Sequence, residues 1–312
     1  MQLRWQISSS VQDRVARTGT RARPSAFFVL ALCAWQVAIF LAANEAVAAD
    51  AAGPQRIVSL SPHATELLFA AGAGRNVVGV TESCDRPAAV KRLPKVSGFR
   101  GANVEAVIAL KPDLVVTWPN GNRSADVDAL RRYGIPIHAS ELATLASITA
   151  ELRLFSQWAT TAELRNAALA RAYDADRLIQ ALRGRYATAR KVKVFYQLGA
   201  GRLFTLTDKH VVGEALALCG AENIFGKLLL PAPEVSAEAV LAARPDAVLV
   251  AGEGALLAVQ TDWKERQLFS ASAVGERIVA VDGAELHRPT LGTFEAVRSM
   301  CEAIDRIRQT LR

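Results

Sequence analysis

Two stretches of the chain carry the same order of apolar and polar positions. The first reads EAVIALKPDLVV over 105–116, the second EAVLAARPDAVLV over 238–250. Aligned without a gap, Glu105 falls on Glu238, Lys111 on Arg244, Pro112 on Pro245 and Asp113 on Asp246, a constant offset of 133 positions. In each, Asn103 or Ser236 stands as a helix N-cap, and a glutamate two residues later faces the positive end of the helix dipole. Lys-Pro or Arg-Pro ends the short helix, because the residue before proline is pushed out of the helical region. Asp then opens a run of valines and leucines that suits a strand buried on both faces of a parallel sheet. The period is far above that of a solenoid, so the pattern predicts two similar lobes rather than a repeat array.

The rest of the apolar pattern fits around these copies. The first lobe predicts a strand over 56–60, a helix from Ser61-Pro62 to 70 stopped by Gly72, and a strand over 77–81. A loop over 82–94 and the stretch VSGFRGAN lead into the first copy, which ends at Trp118. After a turn over 119–122 come a helix over 125–133, closed by Gly134, and a strand over 135–139. Gly72-Ala73-Gly74 follows a helix rather than a strand, so it reads as a helix stop and not as a dinucleotide signature. Between 161 and 187, Leu164, Ala168, Ala172, Ala175, Ile179, Leu182 and Tyr186 recur at spacings of three and four, one apolar stripe. A helix of that length would span roughly 40 Å, a strut rather than a linker. The second lobe predicts a strand over 191–197, a loop with Gly199 and Gly201, a helix over 211–218, the second copy and a helix over 294–311. The division expected is 1–49, 55–142, 143–189 and 190–312, with the third segment helical.

Charge changes the picture little. The formal net charge is +7, but residues 1–49 hold five Lys/Arg and two Asp/Glu, which leaves 32 against 28, or +4, for the remainder. That balance, without a basic run interleaved with aromatics, calls for no nucleic acid. In residues 1–49, five arginines precede an apolar stretch over 26–43 and then the run AVAAD, the charged, apolar, A-x-A order of an export signal. An apolar stretch of that length could just span a bilayer, so an uncleaved anchor is the competing reading. Cleavage after Ala48 or Ala49 is expected, and Cys33 lacks the setting of a lipid anchor. Cys84, Cys219 and Cys301 then remain. Cys219 and Cys301 lie in similar apolar helical surroundings, Cys84 in the polar loop TESCDRP, so a Cys219–Cys301 bridge is expected over three buried thiols.

Candidate chemistry is sparse. Ser59, Ser61 and His63 lie close together, but no nucleophile elbow or positioned acid accompanies them, and no enzyme is expected. His63, His138, His210 and His287 are scattered without HxH or HExxH spacing, so loop histidines are a simpler reading than a zinc or manganese site. Aromatics say more. Trp118 stands at the carboxyl end of a predicted parallel strand, where open α/β sheets place ligands. Phe99 lies in a glycine-flanked loop on the way there, and Tyr196 and Phe204 hold comparable places in the second lobe. Any one of them could simply fill core. Together they suggest an apolar cleft between lobes.

RIVSLSPHATELLFAAGAGRNVVGVT with its CDRP loop, KVSGFRGANVEAVIALKPDLVV, LCGAENIF and VSAEAVLAARPDAVLV closely resemble the periplasmic cobalamin-binding proteins of vitamin B12 ABC importers. More broadly the chain is similar to the helical-backbone receptors for metals, siderophores and haem, from about residue 55 to the C-terminus. The resemblance implies an α/β fold of two Rossmann-like lobes joined by a single long bridging helix, a class III-type periplasmic solute-binding protein. It implies a monomer that takes cobalamin or a related corrinoid, carrying its own cobalt, into the cleft and needs no cofactor. A ferric siderophore, haem or another metal chelate is the alternative ligand. It also implies an inner-membrane permease dimer as partner, docked through the matching Glu105 and Glu238, though either alone could be only a favourable first-turn charge. Ser83 stands where the family has a tyrosine, and Phe99 and Ala232 where it has tryptophans, while Trp118 and Arg288 match in kind. With Tyr196 and Phe204 these make the expected ligand set, with a thinner aromatic wall.

Overall fold

Residues 53–268, 274 and 277–311 are described in the computed structural model, so the expected export signal lies outside them. The branched apolar runs form two sheets. The first contains β1 (Ile57–Ser59), β2 (Val77–Thr81), β3 (Lys95–Gly98), β4 (Gly101–Ala102), β5 (Leu114–Thr117) and β6 (Ile137–Ala139), in the order β4-β3-β2-β1-β5-β6. Its neighbours are parallel except β3 and β4, a hairpin in which Gly98 faces Gly101. Parallel strands need crossovers. Here they include α1 (Pro62–Ala70), α2 (Val104–Ala109) and α3 (Ser124–Arg132). Ser61 starts α1 by accepting the Ala64 N–H, with Pro62 in the first turn, and Gly72 follows its end at φ 85°.

After α4 (Leu145–Ser156), the strut is a single helix, α5 (Ala162–Tyr186), capped by the Thr161 side chain. Its buried stripe is Ala168, Ala172, Ala175, Ile179, Leu182 and Tyr186, and Leu164 is exposed at the first turn. One end is fixed to the first lobe, where Arg171 donates to the Ala70 carbonyl at 3.1 Å. The other is fixed to the second, where Arg185 pairs with Asp305 at 3.2 Å and the Arg308 guanidinium lies 5.3 Å from the Tyr186 ring.

The second sheet is wholly parallel, in the order β10-β9-β7-β8. Its strands are β7 (Val192–Gln197), β8 (Ala221–Asn223), β9 (Ala247–Ala251) and β10 (Ile278–Val281). Around it lie α6 (Val211–Leu218), α7 (Ala237–Ala243), α8 (Glu253–Glu265), α9 (Gly283–Leu286) and α10 (Gly292–Thr310). A disulfide joins Cys219, at the end of α6, to Cys301 in α10 across 82 positions, and Cys84 is a buried free thiol. One apolar core runs from Ile57 and Leu67 through Leu152 and Ile179 to Leu216 and Ile304, continuous from the first sheet to α10.

The repeated unit has a definite job. Lys111 and Arg244 both take positive φ, 48° and 50°, a sparsely populated conformation for residues with a Cβ. The aspartate two positions on then reaches the first strand of its own lobe. Asp113 accepts the N–H of Gln55 at 2.7 Å and of Arg56 at 3.0 Å, and its own N–H donates to the Arg56 carbonyl at 3.0 Å. Asp246 accepts the Lys193 N–H at 2.8 Å and donates to the Lys193 carbonyl at 2.8 Å. Each copy thus clasps one strand to another at the amino edge of its sheet.

Candidate functional site

Residues that leave the carboxyl ends of the parallel strands gather at the opposite edge. Trp118 follows β5. Its backbone N–H donates to Asn122 Oδ1 at 2.6 Å, and Asn122 Nδ2 donates to the Leu60 carbonyl at 2.9 Å, which fixes this turn to the end of β1. Gly121 lies against the indole: a Cβ there would stand 2.0 Å from Trp118 Cε3. The ring is 38% exposed and meets the buried His63 edge-on at 5.5 Å between centroids. Burial pushes the His63 imidazole down to about 4, against smaller opposing effects of the Ser140 backbone and Glu151. Its Nε2 has no partner among the described residues. Phe99 sits at the tip of the β3–β4 hairpin, fully exposed, with the Glu82 carboxylate packed over Gly98.

Ion pairs join the two lobes at this edge. Arg288, after α9, donates to Glu66 of α1 at 2.8 Å and to Asp85 of the loop after β2 at 2.6 Å. Arg86 of that loop pairs with Glu66 at 3.3 Å and with Glu285 of α9. Of the expected ligand positions Arg288 lies here, and exposed Ser83 belongs to the loop it contacts, two residues before Asp85. Arg288 Nη1 already serves two carboxylates, which offset the guanidinium's charge. Sequence pattern gave no hint of Glu66, Asp85, Arg86 or Glu285 as partners, since their spacing repeats nowhere.

In the second lobe the expected set divides. Tyr196 is 0% exposed, within the main core, and its hydroxyl meets His287 Nε2 at 3.0 Å. It offers no surface to a ligand, and its place is corrected from cleft to core: it lies inside β7, ahead of the strand's end. Phe204 is half-buried under the Arg202 guanidinium, 5.0 Å from its ring centre. Exposed Ala232 lies in the adjoining loop, tied to Phe204's segment where the Thr205 N–H donates to the Pro233 carbonyl at 3.0 Å. From that loop Leu229 and Leu230 project, 83% and 65% exposed, while Lys209 holds the Leu229 carbonyl at 2.6 Å. The sequence signal for these was an apolar run, LLL, inside a loop.

Glu105 and Glu238 are both exposed in the first turns of α2 and α7, helices that begin toward the carboxyl edges of their sheets. The backbone of Glu238 and the Ser236 hydroxyl hold the Glu238 carboxyl below its usual range. The histidines stay apart in their roles: His138 pairs with Glu151 at 2.9 Å, and His210 and His287 stack edge-on at 6.1 Å. Among the described residues no three His, Cys, Asp or Glu side chains gather so as to hold a metal ion.

Two α/β lobes with parallel sheets, a single long helix between them, and loops of both lobes meeting at one edge define a two-lobe solute-binding protein. The pattern of the periplasmic binding protein family matches residues 57–284, and the chain belongs to that family. It is a binding protein, not an enzyme. The vitamin B12-binding protein of Vibrio campbellii is 36% identical over 266 residues, 84% of this chain and 94% of that one. The structure of the periplasmic vitamin B12-binding protein of Vibrio cholerae matches with a TM-score of 0.73 at 32% identity, over 83% of this chain and 99% of that chain. A periplasmic haem-binding protein from Roseiflexus sp. RS-1 matches with a TM-score of 0.66 at 25% identity, over 82% and 100%.

Proposed function

We propose that this protein captures cobalamin or a closely related corrinoid at the facing carboxyl edges of its two lobes and delivers it to the permease of an ABC importer. One observation carries this. Arg288 of the second lobe reaches Glu66 and Asp85 of the first, so the ligand edges of both sheets border one site. Vitamin B12-binding relatives that span nearly their full length support the choice of ligand. Trp118 and Phe99 offer apolar area from the first lobe, Leu229 and Leu230 from the second. Export by a cleaved signal, and action as a monomer, belong to this reading. Calorimetric titration of the purified protein with cyanocobalamin should give tight one-to-one binding. No binding of any corrinoid, alongside tight binding of a ferric siderophore or haem, would retire the proposal for the alternative.

Docking belongs to the same reading. A two-fold permease with an arginine pocket on each subunit would receive Glu105 and Glu238 one apiece, through charge-assisted bidentate bonds. Replacing both by Gln should leave corrinoid affinity intact, slow uptake sharply and weaken the complex in a salt-sensitive way. Transport at the normal rate by the double variant would reduce the two glutamates to helix-end charges.

A further inference from the structure

The ion pairs that join the lobes do not balance. Three carboxylates, Glu66, Asp85 and Glu285, meet two guanidiniums, Arg86 and Arg288. All five follow the carboxyl end of a parallel strand. Glu66 lies one turn into α1 after β1, Asp85 and Arg86 come after β2, and Glu285 and Arg288 after β10. They are partly open to solvent, from 15% for the Glu66 side chain to 61% for Asp85, so their field reaches whatever occupies that edge. Of the flanking charges Lys95 and Asp282 offset each other, while exposed Glu82, directly after β2, adds to the acidic side. Lys95 gives its ammonium to the carbonyls of Cys84 and Val90, and Asp282 accepts the Glu285 N–H. Two histidines of this edge, buried His63 and half-buried His210, add no positive charge at neutral pH.

We infer that this five-membered set is a charge filter on the ligand's rim: it accepts a tetrapyrrole edged with neutral carboxamides and turns away one edged with free carboxylates. The inference rests on the corrinoid reading above and adds what distinguishes a corrinoid from haem at this site. Both guanidiniums are already engaged by protein carboxylates. A ligand carboxylate would draw on guanidiniums whose charge Glu66, Asp85 and Glu285 already offset, while standing beside those three carboxylates. A carboxamide meets no such cost. Its N–H₂ can donate to a carboxylate oxygen and its carbonyl can accept from a guanidinium N–H that the protein leaves free. Selectivity then comes from repulsion of the wrong ligand as much as attraction of the right one.

Parallel titrations with cyanocobalamin and with haem test this on the wild-type protein, on Asp85→Asn and on Asp85→Asn/Glu285→Gln. Asp85 is the most exposed member, so its single variant keeps the test open should the double variant fold poorly. Haem affinity should rise with each charge removed, at least tenfold for the double variant, while cyanocobalamin affinity stays level or falls. Salt at about 0.5 M should shrink the gain, because it screens exposed charges. Haem affinity unmoved in both variants overturns the filter. So does an equal, salt-independent gain for both ligands, which would mark a cleft merely opened. A wild-type protein that binds no corrinoid overturns the corrinoid reading and the filter with it. Cyanocobalamin binding by the wild type with unmoved haem affinity in the variants overturns the filter alone.

Discussion

The two copies of the helix–Pro-Asp–strand unit agree at one end and part company at the other. At the amino edge each has a left-handed basic residue, a proline, and an aspartate that binds the first strand of its lobe. At the carboxyl edge the first lobe carries the β3–β4 hairpin with Phe99 at its tip, and Trp118 after β5. The second sheet has no antiparallel pair among its described strands. Its loop with Leu229 and Leu230 is held instead by an isolated bridge between Phe204 and Glu234 and by hydrogen bonds to Thr205 and Thr207. The lesson is a division of labour. What is repeated clasps strands within each lobe, and what is not repeated lines the edge where the ligand is proposed to bind. Glu105 and Glu238 are the exception, repeated yet exposed, as a two-fold partner would require.

The largest expected contrast between the lobes comes from the disulfide, which only the second possesses. Reduction, or Cys219→Ser with Cys301→Ser, should cost about 4–5 kcal/mol by the chain-entropy relation for a closed loop of this length. Hydrogen exchange under reducing conditions should show α6 and α10 opening while β1 and β5 stay protected. Equal loosening of both lobes would mean that the shared core, not the bridge, sets their stability.

Acid should blur the contrast, because each lobe holds a histidine at least half out of water, His63 buried and His210 half-buried. Burial holds His63 and His210 near 4, against an ordinary value of 6.5. As the pH falls through 6.5 the unfolded chain takes up these protons and the folded one does not until about 4. Stability is therefore full above 6.5 and declines toward 4, by on the order of 3 kcal/mol for His63. Urea melts of His63→Asn should show a shallower decline over this range. An unchanged slope would place the acid sensitivity elsewhere.

On the ligand side, Trp118→Ala should weaken corrinoid binding by about 1–3 kcal/mol if the indole is a central contact. Gly121→Ala is the sharper probe, since its methyl drives the indole from its place without deleting it. Affinity within twofold of wild type for both would remove Trp118 from the site. The smallest effect should come from the clasps. Asp113→Ala strands two backbone N–H groups and should lower stability by about 1–2 kcal/mol, and Asp246→Ala, which strands one, by about half as much. Thermal melts that rank them the other way would show that the number of N–H groups held does not set the strength of each clasp.

Most of the scaffold was legible because its signals are local. Ser61-Pro62 marked the start of α1, the stripe from Ala168 to Tyr186 marked α5, and the doubled Pro-Asp marked two lobes. The hairpin β3–β4 and strand β8 escaped because two to four residues are too few for alternation to register. Strand β10 and helix α9 escaped for the same reason. The position of Trp118, directly after a strand, was readable because the run that forms β5 ends just before it. Tyr196 was misread because one position decides whether a strand's last aromatic faces core or cleft. The Glu66–Arg86–Glu285–Arg288–Asp85 set was invisible, since its members meet across as many as 222 positions.

Helix α5 has a consequence for traffic at the membrane. With 25 residues anchored at both ends and a core continuous across it, filling the cleft should leave the spacing of Glu105 and Glu238 nearly as it was. An importer that gauges the receptor by that spacing would see empty and laden copies alike. They would queue for the same seat, so uptake should peak at an intermediate ratio of receptor to importer and fall when unladen receptor is in excess.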